Sequence, residues 1–187
     1  PLSGEMLLTL CRTHARHDLG ALAQAVNPRF TLDELVLPPP QARQLCEIVH
    51  AMRALTRVHY RLGLARAWND GGLSVLFCGS PGTGKTMASE ALAVELQLPM
   101  YRIDLSQVVN KYIGETEKNL KRVFDTAEAS DCVLFFDEAD ALFGKRTDVK
   151  DAHDRFANIE ISYLLERMER FKGIAVLATN RRKDLDE

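Results

Sequence analysis

Four cysteines, Cys11, Cys46, Cys78 and Cys132, are spread over 187 residues with no C-x-x-C pair among them. That excludes a disulfide framework and a cysteine-built zinc or redox motif, and it fits reduced thiols in a cytoplasmic protein. Long apolar runs are also missing, and no secretory signal pattern opens the chain, so no membrane partner is expected. Charge of one sign is scarce. Twenty-four Lys and Arg stand against 26 Asp and Glu, for a formal net charge of −2, which leaves no global nucleic-acid footprint. Arg181-Arg182-Lys183 is a short basic run that reads as solvated or interfacial. Aromatics make up 7% of residues against 46% apolar overall, enough for one α/β core or a core with a small appendage. No internal repeat or low-complexity tract is evident. His14 and His17, three apart, have no carboxylate or cysteine constellation to make them metal ligands, and they read as surface residues.

What is present centres on Gly79-Ser80-Pro81-Gly82-Thr83-Gly84-Lys85-Thr86, which fits the phosphate-cradling pattern G-x-x-x-x-G-K-[ST]. The flanks suit it. Leu73–Cys78 reads as a buried strand, and the Ala- and Leu-rich run from Met87 to Leu96 reads as a helix. Glycines let successive backbone N–H groups turn inward on a phosphate, and a helix N-terminus adds partial positive charge. Residues Ser80, Pro81, Gly82, Thr83, Gly84, Lys85, Thr86 and Met87 are the expected nucleotide contacts. Lys85 would reach the β- and γ-phosphates, and the Thr86 hydroxyl would hold Mg²⁺.

A second buried-strand pattern, Cys132–Phe136, ends in Asp137-Glu138. In an open parallel α/β sheet, ligands bind outside the carboxyl ends of the strands, so these acids would meet the glycine loop there. Asp137 would orient Mg²⁺ through water, since Mg²⁺ keeps several waters. Glu138 would act as general base on the attacking water. Adjacent acids at a strand end are common on surfaces, and it is the pairing with the loop that gives them weight. Ala139-Asp140 extends the letters to DEAD, which helicases share and which therefore does not discriminate. A third apolar strand, Gly173–Ala178, ends in Thr179-Asn180. Its amide could position the water against the γ-phosphate; alone, Thr-Asn after a strand also reads as a turn or cap.

With these motifs in hand the chain resembles the AAA ATPases in the narrow sense, the branch with the katanin- and proteasome-type ATPases. The residues that carry the resemblance are GSPGTGKT at 79–86, NKYIGETEKNLKRVF at 110–124, VLFFDEADALFGKR at 133–146 and AVLATNR at 175–181. The finer wording, including KDAHDRFANIEISYLLERME at 150–169, is similar to bacterial AAA proteins with a winged-helix-like region ahead of the ATPase. The resemblance covers roughly residues 31–187. It implies a P-loop three-layer α/β/α sandwich around a parallel sheet, with ATP and Mg²⁺ as cofactors. It also implies roles by position: Lys85 and Thr86 as Walker A, Asp137 and Glu138 as Walker B, and Asn180 as sensor 1. Lys111, Tyr112 and Ile113 fall on the loop that lines the central pore of hexameric relatives and grips polypeptide. Read physically, Tyr112 before a glycine could equally anchor a loop in the core.

By the same resemblance, residues 1–30 are a helical remnant of an N-terminal region, 31–72 are a linker and first helix, and 73–187 are the ATPase core. The arginine finger, the last strand and the helical lid of the family are not in this sequence, so it reads as a fragment. The apolar spacing over 5–26 suits one or two short amphipathic helices. Residues 28–40, with Pro38-Pro39-Pro40, suit an extended linker. Residues near Leu35-Val36-Leu37 pass over adenine by resemblance, or form a plain linker. Helices are predicted over 41–62, over 115–129 with Leu120, Val123, Phe124 and Ala127 facing inward, and over 155–170, with a strand over 100–103, a short helical start at 104–106, and a charged loop over 144–154. The leading reading is a Mg²⁺-dependent ATPase, working as a homo-hexamer, that remodels or threads protein. The alternatives are an ATP-gated scaffold with little turnover and another P-loop enzyme such as a kinase or GTPase. No N-K-x-D motif for guanine is visible.

Overall fold

A computed structural model describes residues 23–61, 72–106, 116–128, 131–140 and 162–180. Among these residues five strands form one sheet: β1 (Ala23–Val26), β2 (Leu73–Cys78), β3 (Met100–Asp104), β4 (Val133–Asp137) and β5 (Ile174–Thr179). Their order across the sheet is β1-β3-β4-β5-β2. The last four are parallel, and β1 lies antiparallel on the edge of β3. The helices are α1 (Pro39–Arg61), α2 (Lys85–Leu96), α3 (Thr116–Ala127) and α4, described over 162–170.

Alternation along β4 and β5 divides the core into two faces, because successive strand side chains point to opposite sides. Leu134 and Phe136 of β4, with Ala175 and Leu177 of β5, pack against Leu120, Val123, Phe124 and Ala127 of α3 and Leu164 and Met168 of α4. Val133 and Phe135, with Ile174, Val176 and Ala178, face the other way, toward Met52 of α1 and Ala93 of α2. Helices on both faces make the three-layer α/β/α sandwich, and they explain why β4 and β5 read as unbroken apolar runs. Each fully buried Leu, Val or Phe there contributes roughly 1.5–3 kcal/mol.

The predicted core face of α3 is the buried one. In α1, Leu45, Val49 and Met52 are buried and Ile48 and Leu55 pack beside them. That helix starts two residues earlier than the sequence suggests. Ala42 N–H already bonds Pro38 O at 3.1 Å, and Pro39 and Pro40 fit a first turn, where the missing N–H costs nothing.

Three expectations change. Ala23–Val26 is a strand, not the end of an amphipathic helix; residues 1–22, with Cys11, His14 and His17, lie outside the described residues. Only Ala23 and Val26 of this strand are partly buried, and the apolar spacing over 5–26 that suggested a helix reaches it only at Val26. The sheet is therefore parallel with one antiparallel edge. Second, β2 is half-buried instead of buried: Val75 and Phe77 pack inward, while Leu76 is 46% exposed and Cys78 is exposed. Third, the linker is not featureless. It holds a 3-10 turn at Leu32–Glu34, and Leu32, Leu35 and Leu37 pack on Leu45, Val49, Ala88 and Leu92. Val36 alone of its trio projects fully into solvent. Among the described residues, Cys46, Cys78 and Cys132 form no disulfide. Burial pushes Cys132 up to about 12, with the nearby charge of Asp131 adding to it, so it is a thiol and not a reactive thiolate.

Candidate functional site

Register brings the three motif-bearing strands to a common edge. Cys78 of β2 pairs with Thr179 of β5, Phe136 of β4 with Leu177 of β5, and Asp104 of β3 with Asp137 of β4. The ladders run slightly past the strands, through Gly79 N–H to Thr179 O at 3.2 Å and Ala139 N–H to Ala178 O at 3.0 Å. Thus the glycine loop, Asn180 and the acid pair leave the sheet side by side, with β5 between the loop strand and the acid strand.

The loop is shaped by its backbone. Gly82 (φ 80°) and Gly84 (φ 86°) both occupy the left-handed region, where an L side chain is strained. Thr83 closes the turn by donating from its hydroxyl to Ser80 O at 2.8 Å. Gly84 is the N-cap of α2, and no side chain caps the helix. Its first-turn N–H groups, around Lys85 and Thr86, are therefore free to take an anion. Lys85 Nζ donates to Gly79 O at 2.6 Å, to Ser80 O at 3.1 Å and to Asn180 Oδ1 at 2.9 Å. The ammonium is folded onto its own loop and onto the end of β5, with a partner for each of its three protons. Ser80, Pro81, Gly82 and Thr83 are exposed; Gly84, Lys85, Thr86 and Met87 are half-buried.

The acid end is shaped by side chains. Asp140 takes hydrogen bonds from the Thr179 hydroxyl, from Asn180 N–H at 3.0 Å and from Asn180 Nδ2 at 2.8 Å. A carboxylate only accepts and an ammonium only donates, so Asp140 and Lys85 between them fix the Asn180 amide with its oxygen toward the lysine. Sequence reasoning passed over Asp140 as one letter of a non-discriminating tetrapeptide. Its signal was there in the polar Thr-Asn pair at the end of the adjacent strand. Asp137 Oδ1 accepts Glu138 N–H at 2.9 Å, and Oδ2 accepts Arg102 Nη2 at 2.6 Å. Arg102, from β3, was not singled out by any motif. Glu138 is exposed and holds φ 55°, a left-handed backbone uncommon for a non-glycine residue. Such strain costs of order 1–3 kcal/mol and clusters at functional positions. Among the described residues, nothing bonds its carboxylate.

Among the described residues, no group of three or more His, Cys, Asp or Glu side chains could hold a metal unaided. Thr86 and Asp137 share no hydrogen bond. One hydroxyl and one carboxylate fit Mg²⁺, an ion that completes its shell with water and substrate phosphates. Lys111, Tyr112 and Ile113 lie outside the described residues, as do Arg181-Arg182-Lys183 and the charged loop at 144–154. A cleft of about 260 Å³ lies at the opposite end of the sheet, lined in part by Val26, Asn27, Gln97 and Pro99. It has no charged side chain in its lining, and the chemistry is not there. Among the described residues, no helix is long and apolar enough to cross a membrane.

Residues 75–187 match the profile of the ATPase family associated with various cellular activities (AAA). An uncharacterized AAA family ATPase of Sinorhizobium fredii is 34% identical over 87% of this chain and 48% of its own length. The peroxisomal ATPase PEX6 of Saccharomyces cerevisiae is 40% identical over 60% of this chain and 12% of its own. A 26S proteasome regulatory subunit 10B of Dictyostelium discoideum is 32% identical over 78% of this chain and 37% of its own. The chain thus spans about half the length of the first relative and less of the others. The profile match takes in most of the strand ahead of the glycine loop, the loop, the acid pair and Asn180, and the chain belongs to the AAA family of ATPases.

Proposed function

We propose that this chain is the ATP-hydrolysing part of a Mg²⁺-dependent, ring-forming machine that remodels or threads protein in the cytoplasm. The observation that carries the reading is the Lys85–Asn180 hydrogen bond at 2.9 Å, beside a strand that ends in Asp137-Glu138. A phosphate-binding cation, an orienting amide and an acid pair converge on one sheet edge.

In this reading the N–H groups of the loop and of the first turn of α2 take the phosphates. Lys85 exchanges the carbonyls of Gly79 and Ser80 for the β- and γ-phosphate oxygens. Thr86 and Asp137 would hold Mg²⁺, which would neutralise phosphate charge. Glu138 takes a proton from water as the water oxygen attacks the γ-phosphorus and ADP leaves. Asn180, held by Asp140, orients that water. Two relatives are by name a peroxisomal ATPase and a proteasome regulatory subunit, which supports a protein substrate. The homo-hexamer and the grip of Lys111, Tyr112 and Ile113 on polypeptide rest on family resemblance.

The test is phosphate release by the natural full-length chain, with and without an unstructured polypeptide. Glu138→Gln is expected to keep ATP binding while turnover falls by about 10²–10⁴-fold. Equal turnover in variant and parent removes Glu138 from its role. Stimulation by polypeptide that disappears in Tyr112→Ala supports threading. Turnover indifferent to both leaves an ATPase that acts as an assembly switch.

A further inference from the structure

Asp137 is already occupied. Both its oxygens accept hydrogen bonds, Oδ1 from Glu138 N–H and Oδ2 from the Arg102 guanidinium at 2.6 Å. The pair is part-buried, with the Asp137 side chain 17% exposed. Register explains the contact. Asp104 is the direct partner of Asp137, and Arg102, two residues earlier on the same strand face, reaches it diagonally. That face is the one covered by α1 and α2, since Met100 of β3 and Val133 and Phe135 of β4 belong to the cluster that includes Met52 and Ala93. Arg102 therefore works on the glycine-loop side of the sheet. Among the described residues its buried Nε makes no hydrogen bond, and there the contact with Asp137 is what holds its head in place.

A guanidinium is charged at every accessible pH, so this positive charge cannot be relieved by losing a proton. It stands within hydrogen-bond distance of the one carboxylate that the proposed function assigns to a divalent cation. Two cations on one carboxylate repel, and the lone pair given to Arg102 is not available to a metal-bound water. We propose that Arg102 is a positioning residue, a built-in counter-ion that keeps Asp137 compensated and in place while the site is empty and that Mg²⁺ has to displace. It sets the Mg²⁺ requirement of the site and biases it against Mg²⁺ that arrives without nucleotide phosphates. The inference rests on the reading of Asp137 as the metal-orienting acid.

The experiment is binding of a fluorescent methylanthraniloyl-ATP by the natural full-length chain, titrated with Mg²⁺. Arg102→Gln is expected to lower the half-saturating Mg²⁺ concentration by roughly three- to tenfold, the scale of one partly exposed charge-assisted contact. Affinity for the nucleotide in chelator should stay within about twofold, because Arg102 acts through Asp137. Arg102→Lys, which keeps the charge, should stay close to the parent. In an Asp137→Asn background, Arg102→Gln should lose its effect. If Arg102→Gln folds poorly, Arg102→Met provides the second neutral side chain. An unchanged or raised Mg²⁺ requirement in the neutral variants overturns the proposal while leaving the ATPase reading intact. Nucleotide binding by the parent that ignores Mg²⁺ overturns both.

Discussion

The glycine loop at 79–84 and the acidic strand end at 137–140 open onto the same space but are held by different means. The loop is exposed, and its form comes from backbone: two left-handed glycines, one Thr83–Ser80 turn and a lysine bonded to carbonyls of its own loop. The acid end stands on β4, which is buried on both faces, and its form comes from side chains on β3, just past β4 and at the end of β5: Arg102, Asp140 and the Thr179-Asn180 pair. Physically the division is reasonable. A phosphate is recognised by many N–H groups, each weak and each tolerant of what surrounds the loop. A water and a metal are placed by a few carboxylates and amides, whose positions matter to fractions of an ångström.

If this contrast is right, the two supporting strands should respond unequally to the same kind of damage. Phe136 is fully buried on β4, stacked on Phe124 with ring centroids 5.6 Å apart, and lies one residue before Asp137. Phe136→Ala is expected to cost about 3–5 kcal/mol, read as a shift in urea midpoint at unchanged slope. Leu76→Ala on the half-exposed strand β2 should cost no more than about 1 kcal/mol. Comparable losses from both would mean that β2 is as enclosed as β4 in the natural chain.

The same contrast governs what could be read from residues in order. The loop is a contiguous pattern with both flanks local, and strand, loop and helix stand within a residue or two of where the spacing puts them. The buried runs of β4 and β5 and the inward face of α3 were legible for the same reason, since a period needs only neighbours in sequence. Arg102 and Asp140 were not. Each matters through a strand that is its neighbour in space and is distant along the chain, by 35 positions to Asp137 and 39 to Thr179. β2 was misjudged for a related cause, because an apolar run says nothing about whether a second strand or helix covers it. Ala23–Val26 was misjudged because a four-residue edge strand paired on one side carries almost no periodic signal.

Asp140 offers the next sharpest break. Asp140→Asn keeps the shape but turns one acceptor into a donor, which then meets the N–H or NH₂ of Asn180. The Asn180 amide is then left with Lys85 alone to hold its oxygen in place. Turnover should fall by roughly 10–100-fold, the scale of a hydrogen bond to a charged group, with ATP affinity nearly unchanged. Turnover equal to the parent would mean that Asn180 is placed by Lys85 or nucleotide alone, and that the acid end is no more dependent on side chains than the loop.

The smallest effect tests the loop itself. At Gly84 an added Cβ meets nothing within 4 Å, so the objection to alanine is its φ of 86° and not its volume. Gly84→Ala should then cost about 1–2 kcal/mol, in stability or in nucleotide affinity if the loop rearranges instead. Gly84→Asn should cost less than alanine despite its larger side chain, because asparagine tolerates the left-handed region. That inversion of size and cost separates a backbone-built loop from a packed one. If alanine proves harmless and asparagine harmful, space and not φ selects the residue, and the loop is held by its surroundings in the way the acid end is.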